Sequence, residues 1–249
     1  DKALLKKKRL SEDLLKAESS DKYRLYGELL TANIHLIKPG ALAVEVINYY
    51  DGTNVTIPLS EKLSGAKNAQ NYFKKYSKAR TAVKEKAIQL EDVEADIMYL
   101  HSVLQGLEAA NTEVELDQIK EELIETGYIR YRGKPGQKRK KQKQAPLEYR
   151  LSDGHYVFVG RNNKENDQLT TKTASRTDVW LHTKDIPGSH VILVTDSGES
   201  LDDIAAETIY EAASIAAYHS KGKDSDNVPV DYTLVKYVKK PSGAKPGMV

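Results

Sequence analysis

The stretch AKNAQNYFKKYSKARTAVKEKAIQLEDVEADIMYLHSVLQGLEA, residues 66–109, places packable side chains at alternating steps of three and four with no proline among them. One series is Ala69, Tyr76, Val83, Leu90, Ile97 and Leu104; the other is Tyr72, Ala79, Lys86, Val93, Leu100 and Leu107. Only Lys86 interrupts the apolar seam, and this heptad spacing predicts a coiled-coil helix. At about 1.5 Å per residue it would run for roughly 65 Å, too long for a small domain to bury, so it should project. Its expected partner is residues 2–37, where Leu4, Leu5, Leu10, Leu14, Leu15, Leu25 and Leu29 form a broader stripe able to pair antiparallel with it.

Between the two arms, AVEVINYY and TNVTIPL flank Asp51-Gly52, a pair that favours a two-residue type I′ hairpin loop. Lys38-Pro39-Gly40 reads as the stop of the first helical arm. Beyond the long helix, Thr112 and Glu115 have capping-box spacing, and Gly127 suits the left-handed position past a helix end. Leu116, Ile119 and Leu123 would share one face of that short helix.

The 249 residues hold 38 basic and 36 acidic side chains, a formal charge of +2, with 30% of positions charged. Mean hydropathy is −0.58, and no apolar run approaches the ~18 residues that a membrane-spanning helix needs. Cysteine is absent, which removes disulfides, thiolate ligands and thiol nucleophiles together and fits a reducing cytoplasm. The chain starts at Asp1 with a helical pattern already under way, so it reads as a piece of a longer protein.

The near-zero charge conceals an uneven distribution. Residues 1–126 and 144–249 each sum to −3, whereas RYRGKPGQKRKKQK (130–143) carries +8 from Arg130, Arg132, Lys134, Lys138, Arg139, Lys140, Lys141 and Lys143. With Pro135 and two glycines it reads as a linker and domain boundary. It is either a self-repelling spacer or a phosphate-binding arm whose affinity falls steeply with salt.

After the linker, LEYRLS and HYVFVG flank Asp153-Gly154 as a second hairpin, followed by WLH at 180–182, HVILVT at 190–195, an Ala-rich helix from about Leu201 to Tyr218 capped by Ser200, and a last strand VDYTLVKYVKK. One main helix and five strands make a small α+β module. Three polar clusters mark it. GRNNKEND (160–167) offers Arg161, Asn162, Asn163, Lys164 and Asn166. DVWLHTKDIPGSH (178–190) places Asp178, Trp180 and His182 on one strand face, followed by Lys184, Ser189 and His190. VKYVKKPSGAKPG (235–247) sets Lys236, Lys239, Lys240 and Lys245 near Tyr237. Aromatic, imidazole, amide and cationic groups together suit ribose, phosphate and stacked bases. Trp180 could equally be core. His182 and His190 form a poor metal set, Ser189 beside His190 does not make a catalytic triad, and no Walker or dinucleotide glycine pattern occurs.

GRNNKENDQLT, DVWLHTKDIPGSHVIL and VPVDYTLVKYVKKPSGAKPGMV closely resemble the RNA-binding C-terminal module of the NFACT family, and YRLYGELLTANIHLIKPG, IPLSEKLSGAKNAQNYFKKYSKAR and EELIETGYIRYR resemble the coiled-coil middle region of its bacterial members. The resemblance covers essentially the whole chain. It implies arms that reach across a ribosomal subunit and a module that contacts RNA, in factors that bind obstructed large subunits and recruit alanyl-tRNA for untemplated chain extension. Bacterial members are also described as fibronectin-binding surface proteins. The family's principal tRNA-selecting residues belong to an N-terminal domain that these residues do not include.

The expectation is thus an α+β chain with a coiled-coil middle domain and hairpin (1–129), a basic linker (130–146) and an α+β RNA-binding module (147–249), non-enzymatic, with no cofactor or metal. The expected partners are tRNA and the large ribosomal subunit, in the cytoplasm and without integral membrane contact. Host fibronectin, bound at the cell surface, is a second partner in the same protein or, in the alternative reading, the main one for a surface adhesin of a Gram-positive bacterium. The RNA-contacting candidates are Arg161, Asn162, Asn163, Asn166, Asp178, Trp180, His182, Lys184, Ser189, His190, Lys236, Lys239 and Lys240, with the eight linker cations beside them. An RNA-processing enzyme built on Asp178, His182 and His190 is the weaker third reading, for want of a nucleophile.

Overall fold

The structure is a computed structural model that describes residues 1–18, 20–130, 145–196 and 199–249. The chain is α+β and forms two compact units, Asp1–Ile97 and Met98–Val249. Among the described residues no helix is long and apolar enough to cross a membrane.

The first unit holds α1 (Lys2–Glu18), α2 (Asp21–Ala32), a hairpin of β1 (Ala43–Ile47) and β2 (Asn54–Pro58), and the first part of α3 (Gly65–Ala109). α1 lies antiparallel to α3, with Lys7 2.7 Å from Glu94 and Lys86 2.5 Å from Asp13. Lys86, the one polar residue in the predicted seam, therefore has its acid on the opposite arm. The expected single helix over 2–37 is two helices. α2 begins at Asp21 after Ser20, whose side chain makes no cap hydrogen bond, and it ends at Asn33, whose side chain donates to the Leu29 carbonyl at 2.9 Å. The chain thus leaves the α-helix six residues before Pro39, through one 3₁₀ turn at Ile34–Leu36. Leu29, Leu30, Val46, Ile57, Ala69 and Tyr72 form the core under the hairpin.

The hairpin loop also differs from the two-residue expectation. Ile47 pairs with Asn54, and Asn48 N–H donates to the Thr53 carbonyl at 2.8 Å. Its side chain accepts from Tyr50 N–H at 3.1 Å, while Gly52 adopts φ 74°. The Asn48 side chain nucleates a longer turn in which only Gly52 needs the left-handed conformation.

In the second unit the end of α3 packs on α4 (Glu113–Glu125). The sequence periodicity continues the seam to Leu104 and Leu107, yet these are 53% and 38% exposed, and Tyr99 and Val103 are buried instead with Ile119. The reason is local: α4 meets a different face of the helix, on which Ile119 packs with Tyr99 and Val103. α4 starts on the expected Thr112–Glu115 capping box and stops at Gly127, φ 83°, where Tyr128 N–H bonds the Leu123 carbonyl at 2.8 Å. Leu116 faces solvent, whereas Glu122, further along α4, is buried.

Five antiparallel strands follow in the order β3-β4-β6-β5-β7: β3 (Leu147–Arg150), β4 (Tyr156–Val159), β5 (Val179–Thr183), β6 (Val191–Leu193) and β7 (Val230–Leu234). α5 (Asn163–Gln168), continued by a π turn at Leu169–Thr173, lies between β4 and β5, and α6 (Ala206–Tyr218) between β6 and β7. Ser200 caps only a one-turn 3₁₀ helix at Leu201–Asp203; the extended residues Ile204 and Ala205 separate it from α6, which begins later than expected. Val157, Val159, Val179, Leu181, Val191 and Leu193 pack beneath Ala212 and Ala216 of α6. Each such side chain contributes about 1.5–3 kcal/mol on full burial, and the alanines let the helix approach the sheet. The opposite face is also covered: Phe158, Trp180 and Ile192 lie under Leu169, Ala174 and Val235.

Candidate functional site

Asn162 adopts extended backbone and caps α5, its side chain accepting from Glu165 N–H at 3.0 Å. That cap turns four consecutive residues toward α4. Arg161 Nε lies 3.2 Å from Glu115, Asn162 Nδ2 donates to Gln118 at 2.6 Å, Asn163 Nδ2 donates to Glu122 at 3.0 Å, and Lys164 Nζ lies 2.8 Å from Glu125. Partners spaced three, four and three apart on one helix share one face, so this cluster is a docking surface for α4. Glu122 is 1% exposed. Its Oε1 also accepts from Tyr99 OH at 2.7 Å, and burial raises its pKa against the pull of these two donors. Tyr99 is likewise raised by burial.

The buried Asn166 joins the next layer. Its Oδ1 accepts from His190 N–H at 3.0 Å, close enough to Gly160 that a Cβ there would stand 2.2 Å from it. His190, 1% exposed, bonds Thr170 Oγ1 through Nδ1 at 2.7 Å and the Gly247 carbonyl through Nε2 at 3.2 Å. A carbonyl only accepts, so Nε2 carries the proton and Nδ1 accepts from the hydroxyl. Burial, helped by nearby His182, pushes its pKa down to about 3. Both nitrogens are thus engaged, which leaves His190 no free lone pair for a metal or for proton transfer.

Trp180 stacks on His182 with ring centroids 5.7 Å apart and planes 15° apart, and His190 meets both rings edge-on. The Trp180 indole nitrogen is buried with no hydrogen-bond partner among the described residues, while His182 is partly buried, its pKa lowered by desolvation. The alternation expected for β5 holds, since Val179 and Leu181 enter the main core. The opposite face is lined by these rings under a lid, and it is not an open platform. Asp178 is buried and holds loops, accepting from Ser175 N–H at 2.7 Å and Thr195 N–H at 3.2 Å. Ser189 is buried at a backbone pairing with His219. Lys240 is paired with Asp167.

Three sequence candidates in the module remain exposed cations: Lys184, beside the left-handed Asp185, and Lys236 and Lys239 after β7. Of the linker cations Arg130 is exposed, and Arg132, Lys134, Lys138, Arg139, Lys140, Lys141 and Lys143 lie outside the described residues. Among the exposed cations that were missed, Lys172 in the π turn and Arg176 before β5 border the 235–239 segment. They sit in the polar stretch TTKTASRTD, whose composition reads only as loop; their proximity to 235–239 is tertiary. Glu122 was missed because an acid within EELIE gives no sign of burial. For a metal, the ligand atoms of His155, Asp196 and Glu199 lie within 4.8 Å of one another. The His155 ring also bonds Asp153 at 2.8 Å.

Comparison with known proteins follows this geometry. Residues 1–144 match the NFACT N-terminal and middle domains, and residues 146–249 match the NFACT protein RNA binding domain. The Rqc2 homolog RqcH of Bacillus subtilis is 45% identical over 245 residues, which cover 97% of this chain and 42% of that protein. The Rqc2 homolog RqcH of Streptococcus suis is 40% identical over 96% of this chain and 42% of its own length. The chain therefore spans about two fifths of these relatives. A solved structure, the C-terminal of the fibronectin/fibrinogen-binding protein from Streptococcus suis, superposes with a TM-score of 0.74 at 35% identity, covering 99% of this chain and 83% of that one.

Proposed function

Because the chain belongs to the NFACT family, we infer that it is the RNA- and ribosome-engaging part of a ribosome-associated quality-control factor acting in the cytoplasm. The observation that carries this is the likeness to RqcH proteins along nearly the whole chain, joined to the match of residues 146–249 to an RNA-binding domain. In this reading the functional parts are 1–129, 130–146 and 147–249. The module binds tRNA and obstructed large ribosomal subunits without performing chemistry. Arg130, Lys184, Lys236 and Lys239 meet phosphates, joined by the remaining linker cations. Arg161, Asn162, Asn163, Asn166, Asp178, Ser189, His190 and Lys240 hold those cations on a fixed frame, and Trp180 and His182 support them from beneath.

Co-sedimentation tests it. The chain should travel with large subunits carrying peptidyl-tRNA, and Gln at Lys138, Arg139, Lys140 and Lys141 should weaken binding and flatten its salt dependence. Failure to co-sediment at low salt would sink the ribosomal role. A second reading, fibronectin or fibrinogen binding, is favoured by the solved Streptococcus suis relative. Immobilised fibronectin should then retain the chain. Persistence of that binding in excess tRNA would place the two ligands on separate surfaces.

A further inference from the structure

We propose that the exposed cations Lys172, Arg176, Lys236 and Lys239 and the ring of Tyr237 form one binding edge for single-stranded RNA, outside the Trp180–His182 face. It rests on the RNA-binding reading above and adds the place and the form of the ligand.

Three observations bring the edge together. Lys236 N–H donates to the Arg176 carbonyl at 3.2 Å and Val235 N–H to the Asp178 carbonyl at 2.9 Å, so the loop before β5 runs beside the turn after β7. Leu169 and Ala174 pack against Val235, which carries Lys172 of the π turn to the same border. All four cations are exposed. Among the described residues none of them has a carboxylate partner, whereas Arg161, Lys164 and Lys240 are each neutralised by an acid.

Unpaired cations on a bonded frame lose little on meeting phosphate, because no internal ion pair must break. Tyr237 is 65% exposed, and the Lys236 ammonium stands 5.0 Å from its ring centroid. A cation over one face leaves the other open to a base. A duplex hides its base faces in its own stack, while an unpaired strand offers both bases and phosphates. The Trp180 ring packs with Leu169 and Val235 and stacks on His182, so it has no comparable free face.

The experiment is fluorescence anisotropy on the intact chain with a short unstructured RNA and with the duplex of the same sequence. Gln at Arg176, Lys236 and Lys239 together removes up to three phosphate contacts. The log-affinity against log-salt slope should fall by about 2, a loss of roughly 50-fold at ~0.15 M salt. Tyr237→Ala should lose about fivefold or more on the single strand and little on the duplex. Gln at Lys221 and Lys223, exposed lysines of the loop after α6, is the control for loss of positive charge elsewhere on the module and should change the slope least. All six positions are exposed, so melting should stay at the wild-type value. If the wild type binds RNA but the triple variant keeps its slope, or the control loses as much, the edge is wrong. Equal preference for the duplex overturns the single-strand assignment, and no RNA binding by the wild type at low salt overturns the RNA-binding reading together with this edge.

Discussion

Glu122→Ala should loosen the second unit without touching an exposed residue. The change deletes an acceptor that holds Tyr99 OH at 2.7 Å and Asn163 Nδ2 at 3.0 Å. Neither donor is wholly stranded, because Tyr99 keeps Thr126 Oγ1 at 3.3 Å and Asn163 keeps Ser102 Oγ at 3.0 Å. Two bonds to a charged group would contribute about 1.5–3 kcal/mol each; the fallback partners and the relief of a buried carboxylate reduce this, leaving a loss of about 2–4 kcal/mol. For a unit of this size that lowers Tm by roughly 5–15 °C. The chain's single tryptophan, Trp180, lies in the second unit, so its fluorescence during urea or thermal melting follows the right region. Glu122→Gln keeps an acceptor and removes the charge, and it should cost less than Ala. Its pH dependence gives an independent sign. Burial raises the folded-state pKa of Glu122 above its ordinary 4.5, so the folded unit holds the proton longer. Its contribution to stability is present in full below that ordinary value and declines as pH rises toward the folded value. The Gln variant should lack that decline. An Ala variant that melts with the wild type, or a Gln variant that falls as far as Ala, would show that Glu122 does not hold this joint.

Gly160→Ala forces a Cβ to 2.2 Å from Asn166 Oδ1; the Asn166–His190 bond should break, lowering the urea midpoint by the equivalent of about 1–3 kcal/mol. His190, held near 3 from an ordinary 6.5, should show no titration in ¹⁵N NMR between pH 5 and 8 and should carry its proton on Nε2. Because that depressed basic group leaves the unfolded chain binding more protons, its contribution to stability is lost as pH falls from about 6.5 toward 3. A fragment starting at Met98 should fold and melt cooperatively, while one starting at residue 146, deprived of Glu115, Gln118, Glu122 and Glu125, should melt lower; equal melting would show that α4 adds nothing to the module.

Much of the architecture was legible because it repeats or uses fixed local chemistry. The heptads of residues 66–109 gave the long helix, the Thr112–Glu115 box its successor, and alternation on β5 the inward Val179 and Leu181. Departures arose where one segment serves two neighbours. Leu104 and Leu107 keep the heptad phase but face solvent, because α4 packs against Tyr99 and Val103. Asn48 reshaped a turn that Asp51-Gly52 alone suggested would be tighter. In the candidate site, residue type identified polar clusters but not their direction. Asn163 and Lys164 look as available as Lys236 and Lys239 until α4 is seen to hold the first pair. No local pattern in TTKTASRTD could bring Arg176 beside Lys236, since that neighbourhood is made by the sheet.

The mating of Arg161, Asn162, Asn163 and Lys164 with α4 changes what the basic stretch between them can do under proteolysis. Asn162 and Gln118 are 44 residues apart in sequence, and Asn163 and Glu122 are 41 apart, with KRKK (138–141), residue types after which trypsin cuts, between the members of each pair. A nick there cuts the chain but none of these four pairings, so the two pieces should migrate together under native conditions and part in denaturant. Fragment sizes on a denaturing gel would mark where the backbone was cut, and a native column would show what still holds the module to its helix.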